Sequence, residues 1–390
     1  SEYNAGGTYS FSNNTTLYAI WKKNITITYD ANGGTNAPAA QTGTYYNNAT
    51  SIKITLSDTK PTKDGFSFIG WSENKNATSA TYNAGVSYNF SDSVTLYAVW
   101  GANAYVLTFD ANGGEVFPTT ISQNYGTNIT LPTPTREGYV FDGWYTAASG
   151  GQKREYTTMP AYSETLYAHW IANTYTVEYN ANGGTGTTAS STHTYDVDKA
   201  LTKNGFTKTG YEFLGWSENK DATIATYTDS QVIKNLTAIN NGKVTLYAIW
   251  KKDITITYNA NGGTNAPATQ TTTIYNNTTS ASIKLNSSAP TKEGYEFVGW
   301  NTSASATVSE YNAGGTYSFN DSTVLYAIWK KDITITYNAN GGVSAPIAQT
   351  ITIYNNTTSA SIKLSSNIPV KTGYEFVGWN TSASATVSEY

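Results

Sequence analysis

The 390-residue chain contains no cysteine, one methionine and two histidines. Without cysteine there can be no disulfide, no thiolate metal site and no cysteine nucleophile. Arginine is nearly absent too: Arg136 and Arg154 are the only two, and 23 basic against 27 acidic residues leave a formal net charge of −4. That balance builds neither the concentrated basic face that nucleic acid requires nor a polybasic patch for an anionic membrane. No apolar run reaches the roughly 18 residues that begin to span a bilayer, so no membrane insertion is expected in this segment. No signal peptide is visible, but the chain opens in the middle of a pattern, so nothing rests on that. What is abundant is Asn, Thr, Ser, Gly and Tyr, a β-rich composition with polar strand faces. It fits an exported protein, held together by packing alone, better than a cytosolic enzyme.

Internal periodicity dominates the chain. The motif L-Y-A-x-W ends at Trp21, Trp100, Trp170, Trp250 and Trp329, and G-W recurs at Trp71, Trp144, Trp216, Trp300 and Trp379. Together they account for all ten tryptophans. A third motif, [DN]-A-N-G-G, begins at Asp30, Asp110, Asn180, Asn259 and Asn338. Successive L-Y-A-x-W tryptophans are 79, 70, 80 and 79 residues apart, so one module is repeated. Residues 253–311 and 332–390 differ at ten of 59 positions, an internal duplication that suits a spacer of variable copy number.

The expected organisation is four complete modules, 22–100, 101–170, 171–250 and 251–329, flanked by two partial ones. Residues 1–21 correspond to 309–329, the closing part of a module, and residues 330–390 form a module lacking that part. Two readings stand side by side. The segment is a window of a longer array, or its leading piece completes the last module of another copy by strand donation. Junctions as short as Lys22-Lys23-Asn24 predict neighbours fairly fixed relative to each other.

Within a module, Ile25, Ile27 and Tyr29 alternate with polar residues and predict a half-buried first strand. A strand pair is expected at 41–46 and 51–56 around Asn47-Asn48, then a break at Pro61, a turn at Lys63-Asp64-Gly65 and a strand at 66–71. In the closing strand, 95–100, Leu96, Ala98 and Trp100 share the core face. The Val99 position, occupied by His169 in module 2, is expected to face solvent or the next module together with Tyr97. Helical periodicity is weak, with 222–233 and 303–311 as the segments where one short helix fits. Each unit of 70–80 residues is individually marginal, so contacts between neighbours should matter.

The [DN]-A-N-G-G stretch looks at first like a phosphate loop or a cation site. Residues 28–35, T-Y-D-A-N-G-G-T, lack the Lys-Ser/Thr that a P-loop needs after its glycines. The acid at Asp30 and Asp110 becomes Asn180, Asn259 and Asn338, which removes the charge a cation would require. What stays fixed is Ala-Asn-Gly-Gly, the residues of a tight reversal at positive φ. His169 and His193 have no counterparts in other modules, and Glu73, Glu218 and Glu293 lie beside turns. No catalytic, cofactor-binding or metal-binding residue is therefore expected, and the chain is read as non-enzymatic with no cofactor. Several Asn-x-Ser/Thr triplets, Asn24, Asn76, Asn128, Asn235, Asn277, Asn301 and Asn356 among them, match a glycosylation pattern that such a composition produces by chance. A Lys–Asn cross-link involving Lys22 or Lys23 and Asn24 would suit a load-bearing protein, but no spacing marks it out.

Taken together, Y-x-V-x-[FY]-[DN]-A-N-G-G, P-T-[RK]-E-G-Y-x-F-x-G-W and L-Y-A-x-W resemble the Listeria–Bacteroides repeat of internalin B-type proteins. Residues 106–170 are the best match, with F-D-A-N-G-G-E, P-T-R-E-G-Y-V-F-D-G-W-Y-T and E-T-L-Y-A-H-W. The resemblance implies β-grasp-like (ubiquitin-like) modules in tandem on a bacterial cell surface, between a functional head and a wall anchor. The expected fold class is accordingly mostly β to α+β, an array of small β-grasp-like modules with at most one short helix each. Module 4 departs from the family by placing Gly294 34 positions after Ala260, where in module 2 Gly138 comes 27 positions after Ala111. The extra seven lie around Y-N-N-T-T-S-A-S-I-K and read either as an added edge or as an intermodule contact.

The expected role is an extracellular stalk, adhesin spacer or filament subunit, with neighbouring modules as the first partners and other copies as further ones, by strand donation or lateral packing. The alternative is a module that binds glycan or a host surface protein through exposed aromatics, with Tyr97 and Tyr167 as the residues to mutate. Against it, the tryptophans are expected in the core.

Overall fold

The computed structural model describes residues 3–390, in which every regular element is a strand. The chain forms two compact units that divide between Asn173 and Thr174. Unit 1 holds modules 1 and 2, and unit 2 holds modules 3 and 4 and the terminal partial module.

Module 1 shows the plan. Its first strand, Lys22–Asp30, and closing strand, Val94–Ala102, lie parallel at the centre of a four-stranded sheet. The second strand, Gln41–Tyr46, flanks the first, and the G-W strand, Phe66–Ser72, flanks the closing strand, both antiparallel. Ile52–Thr55 and Ser87–Phe90 pair separately as a small second sheet. The predicted strands at 41–46 and 51–56 therefore exist but are not partners. Asn47, at φ 54°, turns the chain away, and each strand pairs with a segment distant in sequence.

The core lies on one face of the sheet. Ile25, Ile27, Tyr29, Ile54, Leu56, Trp71, Phe90, Leu96 and Ala98 form one buried cluster. Modules 2, 3 and 4 repeat it around Trp144, Trp216 and Trp300. In module 1 the indole packs against Tyr29 at 4.8 Å and Phe68 at 5.0 Å between ring centres. A bulge between Phe68 and Gly70 turns Trp71 inward. Gly70 has φ 158°, and a Cβ there would come within 2.5 Å of Ala80, so only glycine fits beneath the returning loop.

That returning loop corrects two expectations. Segments 222–233 and 303–311 form no helix. Their backbones instead bridge to the G-W tryptophan, with Trp216 N–H donating to Tyr227 O and Trp300 N–H to Tyr311 O, both at 2.7 Å. The position after Ala in L-Y-A-x-W does not face solvent either. Val99, Ile249 and Ile328 are 2%, 0% and 0% exposed, because the loop after the G-W strand folds back over this end of the sheet. His169 is tolerated there because its ring stacks on Tyr145 at 3.9 Å and its Nε2 lies 2.9 Å from Ala147 O.

In unit 2 the module boundary vanishes as a structural break. One 18-residue strand, Gly242–Asn259, closes module 3 and opens module 4. At about 3.3 Å per residue it runs roughly 60 Å. Thr323–Ile335 does the same between module 4 and the terminal partial module, and eight strands share one sheet. In unit 1, Asn103 alone separates Val94–Ala102 from Ala104–Asp110.

His193 gives module 3 an acid-sensitive core. Its ring is fully buried, stacks near Tyr175 at 5.4 Å and reaches Ser191 Oγ at 2.9 Å, while Nδ1 has no hydrogen-bond partner among the described residues. Burial, and secondarily the charge of Lys199, push its pKa below the ordinary 6.5. The unfolded chain thus takes up the proton first as pH falls. The stabilisation is complete above pH 6.5 and is lost progressively as pH falls below it toward the depressed folded value. Melting temperature followed by circular dichroism should fall over that window in the native chain and stay flatter in His193→Gln. A native chain with no such fall would contradict this account.

Candidate functional site

The fixed Ala-Asn-Gly-Gly turn is the hub of each module. Asn32 and Gly33 adopt φ 49° and 82°, the reversal expected from those residue types. Asp30 Oδ1 accepts the Asn32 N–H at 2.7 Å, and Asn180, Asn259 and Asn338 make the same bond through Oδ1. A carboxylate or an amide oxygen serves equally, which is why Asp and Asn interchange with no charge-dependent role.

The following Asn has no such latitude. Asn261 is 7% exposed, and its Nδ2 donates to Ala304 O at 2.8 Å and to Ala327 O at 2.9 Å. It thereby ties the turn to both the returning loop and the closing strand. Asn32, Asn112 and Asn182 do the same in their modules. The closing tryptophan docks on this turn, with Trp329 Nε1–H donating to Ala260 O at 2.8 Å and Trp100, Trp170 and Trp250 repeating the bond. The last glycine makes room for it: a Cβ on Gly263 would lie 2.5 Å from Thr291 O and 2.6 Å from Trp329 Cζ2.

In unit 2 the hub also binds the next module. The Y-N-N-T-T stretch of module 4 turns over the end of module 3, so the extra residues form the intermodule contact. Asn276 is buried, and its backbone N–H donates to Trp250 O at 2.9 Å while its Oδ1 accepts Trp250 N–H at 3.0 Å. Its Nδ2 donates to Ala222 O at 2.6 Å. Asn277 Nδ2 reaches the hub residue Asn182 at Oδ1, 2.8 Å away. Lys208 Nζ lies over Tyr211 at 4.6 Å and donates to Asn276 O, and burial lowers its pKa. Tyr211 packs against the cores of both modules.

The next junction repeats the asparagine bracket and the lysine over its tyrosine. Asn355 brackets Trp329 with bonds of 2.9 and 3.1 Å and donates to Ala306 O at 2.6 Å. Lys292, over Tyr295 at 4.6 Å, donates to Asn355 O at 2.6 Å and Asn356 Oδ1 at 2.9 Å. Between modules 1 and 2 the clamp is different: Asn103 N–H donates to Gly65 O at 2.9 Å, and Tyr125 packs edge-on against Phe66 at 5.5 Å.

The remaining sequence candidates lie apart. Glu73, Glu218 and Glu293 are exposed. Lys23 pairs with Asp92 at 2.6 Å, while Asn24 Oδ1 accepts the Thr44 hydroxyl at 2.8 Å, so neither joins the other. Tyr97 and Tyr167 are half-buried in their closing strands. Every tryptophan of the four complete modules is buried or half-buried, and Trp21 in the leading piece is 73% exposed. Among the described residues, no three His, Asp or Glu side chains converge as a metal site would require. Sequence reasoning did not find Lys208, Lys292, Tyr211 or Tyr295. Their signal was the recurrence of P-T-K-E-G-Y-type turns one module ahead of each Y-N-N-T-T.

The Listeria-Bacteroides repeat domain matches at residues 26–99, 105–169, 175–249, 255–328 and 334–390. The chain is 29% identical over 326 residues to a provisionally named membrane protein of Evansella cellulosilytica, covering 80% of this chain and 45% of that protein. A second protein of that organism, provisionally named a Gly-rich membrane protein, is 29% identical over 289 residues, 73% of this chain and 30% of its own length. Internalin H of Listeria monocytogenes is 37% identical over 124 residues, 30% of this chain and 21% of that protein. The chain thus spans less than half the length of each of these relatives. Five tandem matches across nearly its whole length make the chain a member of the Listeria–Bacteroides repeat family.

Proposed function

We propose that this chain is a non-enzymatic repeat segment of a bacterial surface protein, working as a load-bearing spacer. The observation that carries the reading is the parallel pairing of the first and closing strands in every complete module. Tension enters a module through its first strand and leaves through its closing strand. Because the two are parallel neighbours, the load shears all their backbone bonds together instead of opening them one at a time. Strands that continue from one module into the next transmit that load without a flexible linker. The names of the relatives, two membrane proteins and an internalin, support placement at the cell envelope.

The same strand order, with a parallel central pair flanked by antiparallel neighbours, supports a β-grasp-like module. The small second sheet, Ile52–Thr55 with Ser87–Phe90 in module 1, lies apart from the four-stranded sheet. Single-molecule stretching between the chain ends tests the mechanical reading. Complete modules should yield one at a time, in abrupt events that each release about 250–290 Å of chain contour, 70–80 residues at ~3.6 Å each. Gradual extension at low force, without discrete steps, would defeat it.

A further inference from the structure

The two edges of each module's sheet are finished differently. On the G-W side the chain caps its own edge: Trp300 N–H donates to Tyr311 O at 2.7 Å, and Tyr311 N–H donates back at 3.0 Å. Trp71 with Tyr82 and Trp216 with Tyr227 repeat this. On the other side, among the described residues, the second strand pairs only inward. In module 4, Gln270–Tyr275 pairs with the long strand Gly242–Asn259, and in the terminal partial module Gln349–Tyr354 pairs with Thr323–Ile335. The bond from Asn276 N–H to Trp250 O fixes which residues face inward. Ile274, Thr272 and Gln270 therefore aim their backbone groups at the sheet, while Thr271 and Thr273 aim theirs outward. Thr350 and Thr352 are their counterparts, as are Thr42 and Thr44 in module 1.

Such edges are ordinarily blunted by charge, proline or a cover. Here Q-T-T-T-I-Y, Q-T-I-T-I-Y and Q-T-G-T-Y-Y contain neither charge nor proline. In module 3 the corresponding edge is partly closed, because Lys199 Nζ donates to Thr192 O at 2.7 Å.

We propose that the open second-strand edges of module 4 and the terminal partial module are a docking surface for a second copy of this chain, joined antiparallel, edge to edge. Three observations select that occupant. In module 4 and the terminal partial module the outward positions are Thr271, Thr273 and Tyr275 and, identically, Thr350, Thr352 and Tyr354, so like meets like with good cross-strand packing. No edge strand carries a charge of its own, and the nearest carboxylates, Asp253 and Asp332, lie one strand in and are held by the Thr273 and Thr352 hydroxyls. Two open edges sit on one continuous sheet held by Thr323–Ile335, and a second copy offers the same pair of edges in return, an isologous contact. Lateral pairing would join arrays side by side without altering the strands that carry load, so the mechanical reading stands or falls independently.

Sedimentation analysis of the full chain across a wide concentration range tests the proposal. The native chain should dimerise reversibly. Thr271→Lys with Thr350→Lys, at two exposed positions, should weaken association about tenfold or more, because like charges then face each other across the seam. Mixing that variant with Thr271→Glu/Thr350→Glu should restore association, which also shows that both variants remain folded. Deleting residues 1–21 should leave the dimer intact. A chain that stays monomeric, a dimer indifferent to the lysines, or no recovery on mixing overturns the proposal. So does a dimer that vanishes with residues 1–21 alone, the outcome that strand donation predicts.

Discussion

Asn261→Asp should destabilise module 4 by about 3–4 kcal/mol, while Asn259→Asp, two residues away, should be nearly silent. The two substitutions make the same chemical change in the same turn. At Asn259 only Oδ1 is used, as acceptor for Asn261 N–H, and modules 1 and 2 already carry Asp in that place. At Asn261 the amide nitrogen is used, donating to Ala304 O and Ala327 O from a nearly buried position. Aspartate would set a carboxylate against two carbonyl oxygens and remove the tie between turn, returning loop and closing strand. A buried charge facing acceptors either stays ionised at high cost or takes up a proton and still satisfies only one of them. Chemical denaturation of the two variants measures the difference directly. Equal midpoints would mean that the hub does not hold the closing strand.

Asn276→Ala should uncouple module 3 from module 4 while leaving both cores folded. The substitution removes two bonds, those from Trp250 N–H to Oδ1 and from Nδ2 to Ala222 O, and Asn277's approach to Asn182 loses its support. The Trp250 N–H is left buried without a partner, which costs about 1–3 kcal/mol beyond the lost bonds. The backbone pair between Asn276 N–H and Trp250 O remains, as does the long strand Gly242–Asn259. The outcome is a loosened end of the long strand and not a broken module. Hydrogen exchange across the junction should accelerate about a hundredfold, the equivalent of roughly 3 kcal/mol at 1.4 kcal/mol per tenfold. Lys208 remains over Tyr211 in this variant, so the stacking contact alone should not restore protection.

Much of the module was legible because its signals are local. Alternation at Ile25, Ile27 and Tyr29 gave a strand whose three side chains are 1%, 0% and 7% exposed. Asn-Gly in each turn requires positive φ, and Asn32 and Gly33 have it. Burial of the tryptophans followed from their size and recurrence. What was not legible depends on distance along the chain. Periodicity marks 51–56 as a strand but carries no information that its partner is Ser87–Phe90. The variable position of L-Y-A-x-W looked wet because it accepts His. The structure shows that a histidine can be housed under a loop once Tyr145 stacks on it and Ala147 O meets its Nε2. The Lys208–Asn277 contact joins residues 69 apart and belongs to no motif of its own module.

The closing sequence makes the same point by contrast. In 309–329 it contributes strand residues and a tryptophan, Trp329, that is 1% exposed. The closely similar leading piece forms no strand among its described residues and leaves Trp21 73% exposed. In the complete modules the closing strand's tryptophan docks on the Ala-Asn-Gly-Gly turn. Sequence therefore specified the parts of the candidate site, while the topology of the array decided which parts meet.

The central claim is that in unit 2 the modules are joined as firmly as they are folded. Hydrogen exchange of the native chain tests it most directly, by comparing junction amides at Trp250, Asn276, Trp329 and Asn355 with core amides at Ile254 and Ile256. The account predicts that both sets exchange together, through the same cooperative opening, because the junction bonds continue the sheet. Junction amides exchanging orders of magnitude faster than a still-protected core would contradict it.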